Sequence, residues 1–322
     1  MKKRLWVSIL LLLIISTAGC TNNEDSKNSK NAEKSNIRDT PYKISEVTSL
    51  SVSRILGVGY PGNDHALYLA SNRGLKLYRD GKWYKTTTNN HQYMGFQAIK
   101  HGFIASGHPQ KGTGLKDPLG IIKSSDKGES FEKLAFYGKT NFYFMAAGYS
   151  GNGIYVISEN QNESLHPGVN YSNDGGESWE KSELTGFDAD SFGMLAVNPE
   201  NDDILAMATR TGIYYSVNNG NTMKRITEPY MVTAITFLGE SLLYSSVENN
   251  KILLKVMRPG ASKQQTLQIP FLDYDNPITY LAVNSRNIKQ IAFTTYKNDV
   301  YESLDGGKKW TILLKDGKKE RE

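Results

Sequence analysis

The 322-residue chain has a single cysteine, Cys20, and that scarcity removes whole classes of chemistry. One thiol can form neither an internal disulfide nor a Cys-rich zinc site, so the fold must be held by its core. Only five histidines are present, and none has the i, i+4 or His-x-His spacing of a preformed ligand pair. Long apolar runs are missing too: the longest, residues 5–15, falls short of the roughly 20 residues that span a bilayer. No stretch keeps a helical period, which argues against a helix bundle. Charge of one sign is also lacking, with 38 Lys and Arg against 33 Asp and Glu. Without a basic stripe, nucleic acid is excluded as a partner.

What the chain does have is a repeat. Ser172-Asn173-Asp174-Gly175-Gly176-Glu177-Ser178-Trp179 returns closely at residues 124–131 and 303–310, and in worn form at 216–223. From Asp126 to Asp174 is 48 residues, from Asp174 to Asn218 is 44, and from Asn218 to Asp305 is 87, two periods. A fixed period in this range signals supersecondary units stacked into one body. Each copy lies between two strand-like runs and reads as a hairpin turn. The Asp or Asn accepts from backbone N–H groups just ahead, the Gly supplies a positive φ, and the aromatic opens the next strand. Asp126, Asp174, Asn218 and Asp305 are therefore structural, not catalytic.

Upstream of the boxes the same order of strand signals recurs, as in 194–197, 204–208 and 212–215, and again in 280–283, 291–294 and 300–301. Four short strands per unit and six units of about 45 residues predict an all-β, six-bladed β-propeller, with seven blades as the alternative. The propeller is expected over residues 41–316, followed by a disordered tail at 317–322.

The N-terminus reads differently. Lys2, Lys3 and Arg4 precede the apolar run, then Ser16-Thr17-Ala18-Gly19-Cys20 follows. Residues 1–19 read as a secretory signal, and the last four of the segment before and including Cys20 look like a bacterial lipobox, which implies diacylation of that cysteine. Two or three acyl chains suffice for stable anchoring. Residues 20–40, almost without apolar side chains, read as a disordered tether. Loss of the leader leaves 35 basic against 33 acidic residues. The expected location is the extracytoplasmic face of a bacterial cell membrane, of Gram-positive type, and the expected state is a monomer.

The boxes resemble the Asp-box (BNR) repeat of sialidases, sortilin (Vps10)-type receptors and many bacterial propellers. Tyr93-Met94-Gly95-Phe96, Ser106-Gly107-His108-Pro109 and Pro118-Leu119-Gly120 are similar to bacterial BNR/Asp-box lipoproteins of the glycosyl-hydrolase-like class. That resemblance implies a propeller that binds a ligand or hydrolyses a glycan. The sialidase chemistry is not singled out: Ser53-Arg54-Ile55-Leu56 lacks the Tyr/Phe-Arg-Ile-Pro pattern, and no arginine triad or Glu–Tyr pair stands out.

The material that breaks the period points to a site. Two loops between second and third strands are long, residues 107–118 and 159–168, and both carry a His-Pro step. Insertions on one face of a repeat protein often mark its binding face. With residues 91–96 they nominate Tyr93, Met94, Phe96, His108, Tyr143 and His166 as ligand contacts. His91, His108 and His166 are weak candidates for a metal site, and no cofactor is otherwise expected. Asp188/Asp190 and Asp273/Asp275 lie on the same predicted face. The expected function is binding of a protein or glycan partner, with a sialidase-like glycoside hydrolase as the alternative.

Overall fold

A computed structural model describes residues 40–159, 161, 164–261 and 263–319. The leader, Cys20 and residues 21–39 of the tether lie outside them, as do Asn160, Asn162, Glu163 and residues 320–322.

The described chain forms six antiparallel sheets, one per repeat, and no helix. This is the six-bladed propeller expected, and no seventh sheet is present among the described residues. The innermost strands are Ile55–Gly59, Gln92–Ile99, Met145–Ala147, Leu195–Val197, Met231–Leu238 and Ile278–Asn284. Each packs against the next, and the sixth packs against the first, closing a ring. Blades two to six have four strands, and blade one has five.

Strand burial follows from this stacking. A blade between two neighbours is covered on both faces, so Leu67–Ser71 or Leu205–Thr209 is buried at every position instead of alternately. The core is accordingly divided into six clusters, each bridging two neighbouring blades. Tyr93, Phe96 and Phe103 of blade two pack with Tyr68, Leu75 and Leu77 of blade one. Trp83 of blade one is buried with Ala292, Val300 and Leu314 of blade six, and its indole N–H donates to the Leu313 carbonyl at 3.3 Å.

The four boxes are built alike. Ser172 Oγ accepts from the Gly176 N–H at 2.8 Å, while Asp174 Oδ1 accepts from the Ser178 N–H at 2.9 Å. The same pair of bonds closes the turns at Ser124/Asp126, Ser216/Asn218 and Ser303/Asp305. Each box also reaches the preceding blade. Asn89 donates to the Gly128 carbonyl, the Leu184 N–H to Gly220, and Trp310 Nε1 to the Gln268 carbonyl at 2.8 Å. Trp179 packs, with its ring tilted and 5.2 Å away, against Phe136 of the connection between blades two and three. The repeat is therefore a clasp between blades as well as a turn.

Both ends of the described chain serve blades one and six. Ile44–Val47 pairs with Lys82–Thr86 as the extra outer strand of blade one, and Thr311–Leu314 is the outer strand of blade six. No strand is exchanged across the seam. The charged tail differs from expectation at its start. The Val52 N–H donates to the Gly317 carbonyl at 2.7 Å, and Ser51 bridges Lys318. Residues 317–319 are ordered because the free backbone of residues 50–52 offers them hydrogen-bond partners that a polar tail would otherwise take from water. Beneath this seam Asp299 is fully buried and meets Lys315 Nζ at 3.0 Å, Asn276 Nδ2 at 3.0 Å and the Asp316 N–H at 2.8 Å. Burial pushes its carboxyl upward, but the Asp316 N–H, Lys315 and Asn276 outweigh it and hold the group below the usual range.

Candidate functional site

The six innermost strands all start at one end of the ring, so the residues just before and at those starts surround one mouth of the central channel. Arg54 comes from blade one, Tyr143 and Phe144 from blade three, Met194 from blade four, Thr233 from blade five, and residues 278–280 from blade six. They line one cavity of about 650 Å³ together with Tyr296, Lys297 and Asn298 of the turn between the second and third strands of blade six. Below Met194 and Tyr280 a narrower axial cavity of about 100 Å³ continues between the innermost strands, its walls mixing apolar side chains with polar surface.

Several polar groups at the mouth are fixed. Arg54 Nη2 donates to the Tyr143 hydroxyl, and its guanidinium lies 5.7 Å from the centre of that ring. This contact spans from blade one to blade three. Asn298 receives the Ile55 N–H at 2.9 Å on Oδ1 and donates to the Ser53 carbonyl. Lys297 pairs with Asp275 at 2.9 Å. Others are left over. A register shift between Val232 and Ala234 takes Thr233 out of the ladder, and its buried Oγ1 has no hydrogen-bond partner. Tyr280 has its phenol pushed up to about 12 by burial and then by the neighbouring Tyr143, with Arg54 opposing. No Asp or Glu lines this cavity.

A second hollow of about 450 Å³ adjoins it through Tyr143 and Phe144 and is completed by Met94, Thr140, Asn141, Ile157 and Glu159. His108 stands at its side. Its Nδ1 meets Asp117 Oδ1 at 2.6 Å, and its Nε2 meets Asn141 Nδ2 at 2.9 Å. Asn141 can only donate from that nitrogen, so Nε2 accepts and Nδ1 carries the proton. The nearby Ser106 hydroxyl is buried and accepts the Phe142 N–H.

The nominated residues therefore separate. Tyr143 is 42% exposed at the mouth, and His108 is partly exposed beside the second hollow. His166 is exposed in the long blade-three loop, where its backbone is held by Asn170 at 2.9 and 2.7 Å. Tyr93, Met94 and Phe96 are not surface contacts. Tyr93 is 1% exposed and Phe96 3%, because an innermost strand is covered on both sides by neighbouring blades. Met94 is also buried, and only its edge reaches the second hollow. His91 is fully buried against Tyr93 and Phe131, with Nδ1 accepting the Gln110 N–H at 2.8 Å. Burial lowers its pKa to about 4. The trio His91, His108 and His166 is not assembled: among the described residues, no group of three or more His, Cys, Asp or Glu is placed to hold a metal. Of the paired acids, Asp188 accepts the Tyr214 hydroxyl and Asp275 meets Lys297.

Arg54, Thr233, Tyr280 and Tyr296 were not nominated. For Arg54, Thr233 and Tyr280 the signal is positional, since all three lie at or just before the start of an innermost strand; Tyr296 lies on the blade-six turn between second and third strands, outside that alignment. The exposed large apolar side chains show the same bias. Tyr143, Phe192, Phe271 and Tyr274 precede innermost strands, Met231 opens one, and Tyr296 is 70% exposed on the blade-six turn. Val217, Leu304 and Ile288 lie on box or first-to-second-strand turns at the other end.

No family model and no curated protein matches the chain. Among solved structures it is similar to the GH74 xyloglucanase from Xanthomonas campestris, at 16% identity and TM-score 0.51, over 85% of this chain and 47% of that one. The extracellular domain of the one component system BT4673 from B. thetaiotaomicron is similar at 14% identity and TM-score 0.50, over 84% of this chain and 34% of that one. A chain of a nidogen/laminin complex is similar at 12% identity and TM-score 0.53, over 74% and 89%. The chain spans less than half the length of the first two. At such identities the likeness is one of fold, and the same fold serves enzymes and other proteins alike.

Proposed function

We propose that this protein is an extracytoplasmic binding module, held at a bacterial cell membrane by a lipid on Cys20, that takes a protein or glycan partner at the channel mouth. The observation that carries the reading is the composition of the mouth. It combines a guanidinium, three phenols and an orphan hydroxyl in a largely apolar cavity of about 650 Å³, with no Asp or Glu in its lining. Apolar walls with a few convergent polar groups are the usual make-up of a ligand site, and Tyr and Arg are the residues that dominate binding energy at interfaces. A glycosidase needs an acid and a base or nucleophile flanking the bond it cleaves. The mouth offers phenols for such work but no carboxylate to protonate a leaving group. His108, Tyr143 and His166 would then extend the contact surface outward along the long loops.

The test is capture of envelope components from the source organism by the full-length protein in detergent. Replacing Tyr143 and Tyr296 together by alanine should abolish capture and leave the melting temperature unchanged; undiminished capture refutes the reading. Cys20→Ser should move the protein from the membrane to the soluble fraction, and a variant still sedimenting with membranes refutes the anchor.

A further inference from the structure

We infer that the channel mouth recognises a carboxylate carried on an apolar body, and that its occupant is the C-terminal residue of a peptide. This rests on the binding reading above and names its ligand. The first observation is Arg54. Among the described residues no carboxylate pairs with it, whereas Arg79 meets Asp80 and Arg258 meets Glu240. A guanidinium presents five N–H donors in a planar fork, and the Tyr143 hydroxyl takes one of them. An edge of the fork therefore remains for a carboxylate, whose two oxygens it matches. Tyr143 holds the side chain over the mouth, so little freedom is left to lose on binding.

The second observation is what surrounds that charge. Ile55, Phe144, Met194, Ile278 and the ring of Tyr280 make the walls of the mouth apolar. A carboxylated sugar placed here would satisfy its acid group but turn most of its hydroxyls toward hydrocarbon, leaving them without partners. A terminal amino acid divides the other way. Its carboxylate meets Arg54 and its apolar side chain lies against the walls of the mouth. The Thr233 hydroxyl, buried and without a partner, is a donor or acceptor for the terminal amide, and the Tyr280 and Tyr296 hydroxyls bond no described residue. The third observation is sign. Lys297, the other charge in the lining, is paired with Asp275, so Arg54 is the charge left for a ligand, and its sign selects the carboxyl end of a chain and not its amino end.

The experiment uses full-length protein in detergent and fluorescence polarisation. The probes are N-terminally labelled hexapeptide pools, randomised at five positions and ending in leucine, with either a free carboxylate or a carboxamide. The free-acid pool should bind, and the amide pool should bind at least about tenfold more weakly, the loss expected for one charge-assisted contact. Arg54→Gln should erase the difference between the pools. Equal binding by both pools overturns the inference, as does an acid preference that survives Arg54→Gln. Binding of neither pool also overturns it, as does Arg54-dependent binding of trigalacturonic acid in place of the peptides. The acid–amide comparison needs no variant, so a misfolded Arg54→Gln protein does not rescue the idea. Failure here with success in the Tyr143/Tyr296 capture assay removes the carboxylate and leaves the binding reading standing.

Discussion

The box turns and the channel mouth both carry hydroxyls and charged groups, and these end in opposite states. At a box, Ser172 and Asp174 both turn back on their own loop, and the carboxylate oxygens accept from Ser178. At the mouth, Arg54 lacks a carboxylate and Thr233 Oγ1 lacks any partner. The first arrangement recurs four times with nearly the same distances, while the mouth repeats only fragments, such as Thr233 and Thr279 at the register shifts of blades five and six, and takes Arg54 from one blade alone. A polar group that must make the same turn in several blades has its hydrogen bonds completed locally. A polar group that appears once, at the end of a strand whose backbone is already paired, is free to meet something else.

Substitutions can break or sharpen this contrast, and the largest effect is expected where the contrast was first misjudged. Tyr93→Ala should cost about 3–5 kcal/mol, the usual loss for a buried aromatic, and lower the urea midpoint sharply. A surface contact would leave that midpoint unmoved. Asp299→Ala removes the buried carboxylate beneath the seam and leaves Asn276 and the Asp316 N–H without a partner, at about 2–4 kcal/mol. Because that carboxylate also supports the turn holding Tyr296 to Asn298, calorimetry and the capture assay should both register the loss. Gly176→Ala places a side chain at φ 102, where only glycine is at ease. It should cost about 1–3 kcal/mol with capture unchanged.

Acid should act on the box side in the same sense. Hydrogen bonds from the Ser178 hydroxyl and N–H hold the Asp174 carboxyl below the ordinary range, and the Lys309 N–H does so for Asp305. A depressed folded value means this stabilisation is present above the unfolded carboxylate value, near pH 4, and is lost as the pH falls through the folded one. Urea midpoints should therefore hold from pH 7 to about 5 and decline below about 4, less steeply in a variant with both Asp174 and Asp305 changed to Asn. The smallest stability effect belongs to the mouth: Tyr296→Ala should stay within about 0.5 kcal/mol of the parent yet weaken capture.

The blade count and strand order were legible because they depend on period and on turn chemistry, both local. The fourth unit's strands, expected at 194–197, 204–208 and 212–215, are Leu195–Val197, Leu205–Thr209 and Gly212–Ser216. The nominated site was legible only in part. His108 and Tyr143 do flank a hollow, but Tyr93 and Phe96 read as ligand contacts because a strand start and a surface aromatic read alike in one dimension. What separates them is whether a neighbouring blade covers the position. Arg54 and Tyr143 are 89 residues apart in the chain, and no local pattern announces a contact that only ring closure creates.

The outer strand Ile44–Val47 has a mechanical meaning. It lies against blade one from outside, through four backbone pairs with Lys82–Thr86, and contributes nothing to the mouth. A pull on the N-terminal side of the chain is met first by the bonds of Pro41 and Lys43 to Thr87 and of the Tyr42 hydroxyl to the Lys127 carbonyl, and then by those rim pairs. Peeling them leaves a four-stranded blade like the other five, and the next resistance is the seam where Val52 meets Gly317. The strand can therefore act as a sacrificial fastening, yielding under load while the ring and the pocket at its centre keep their form.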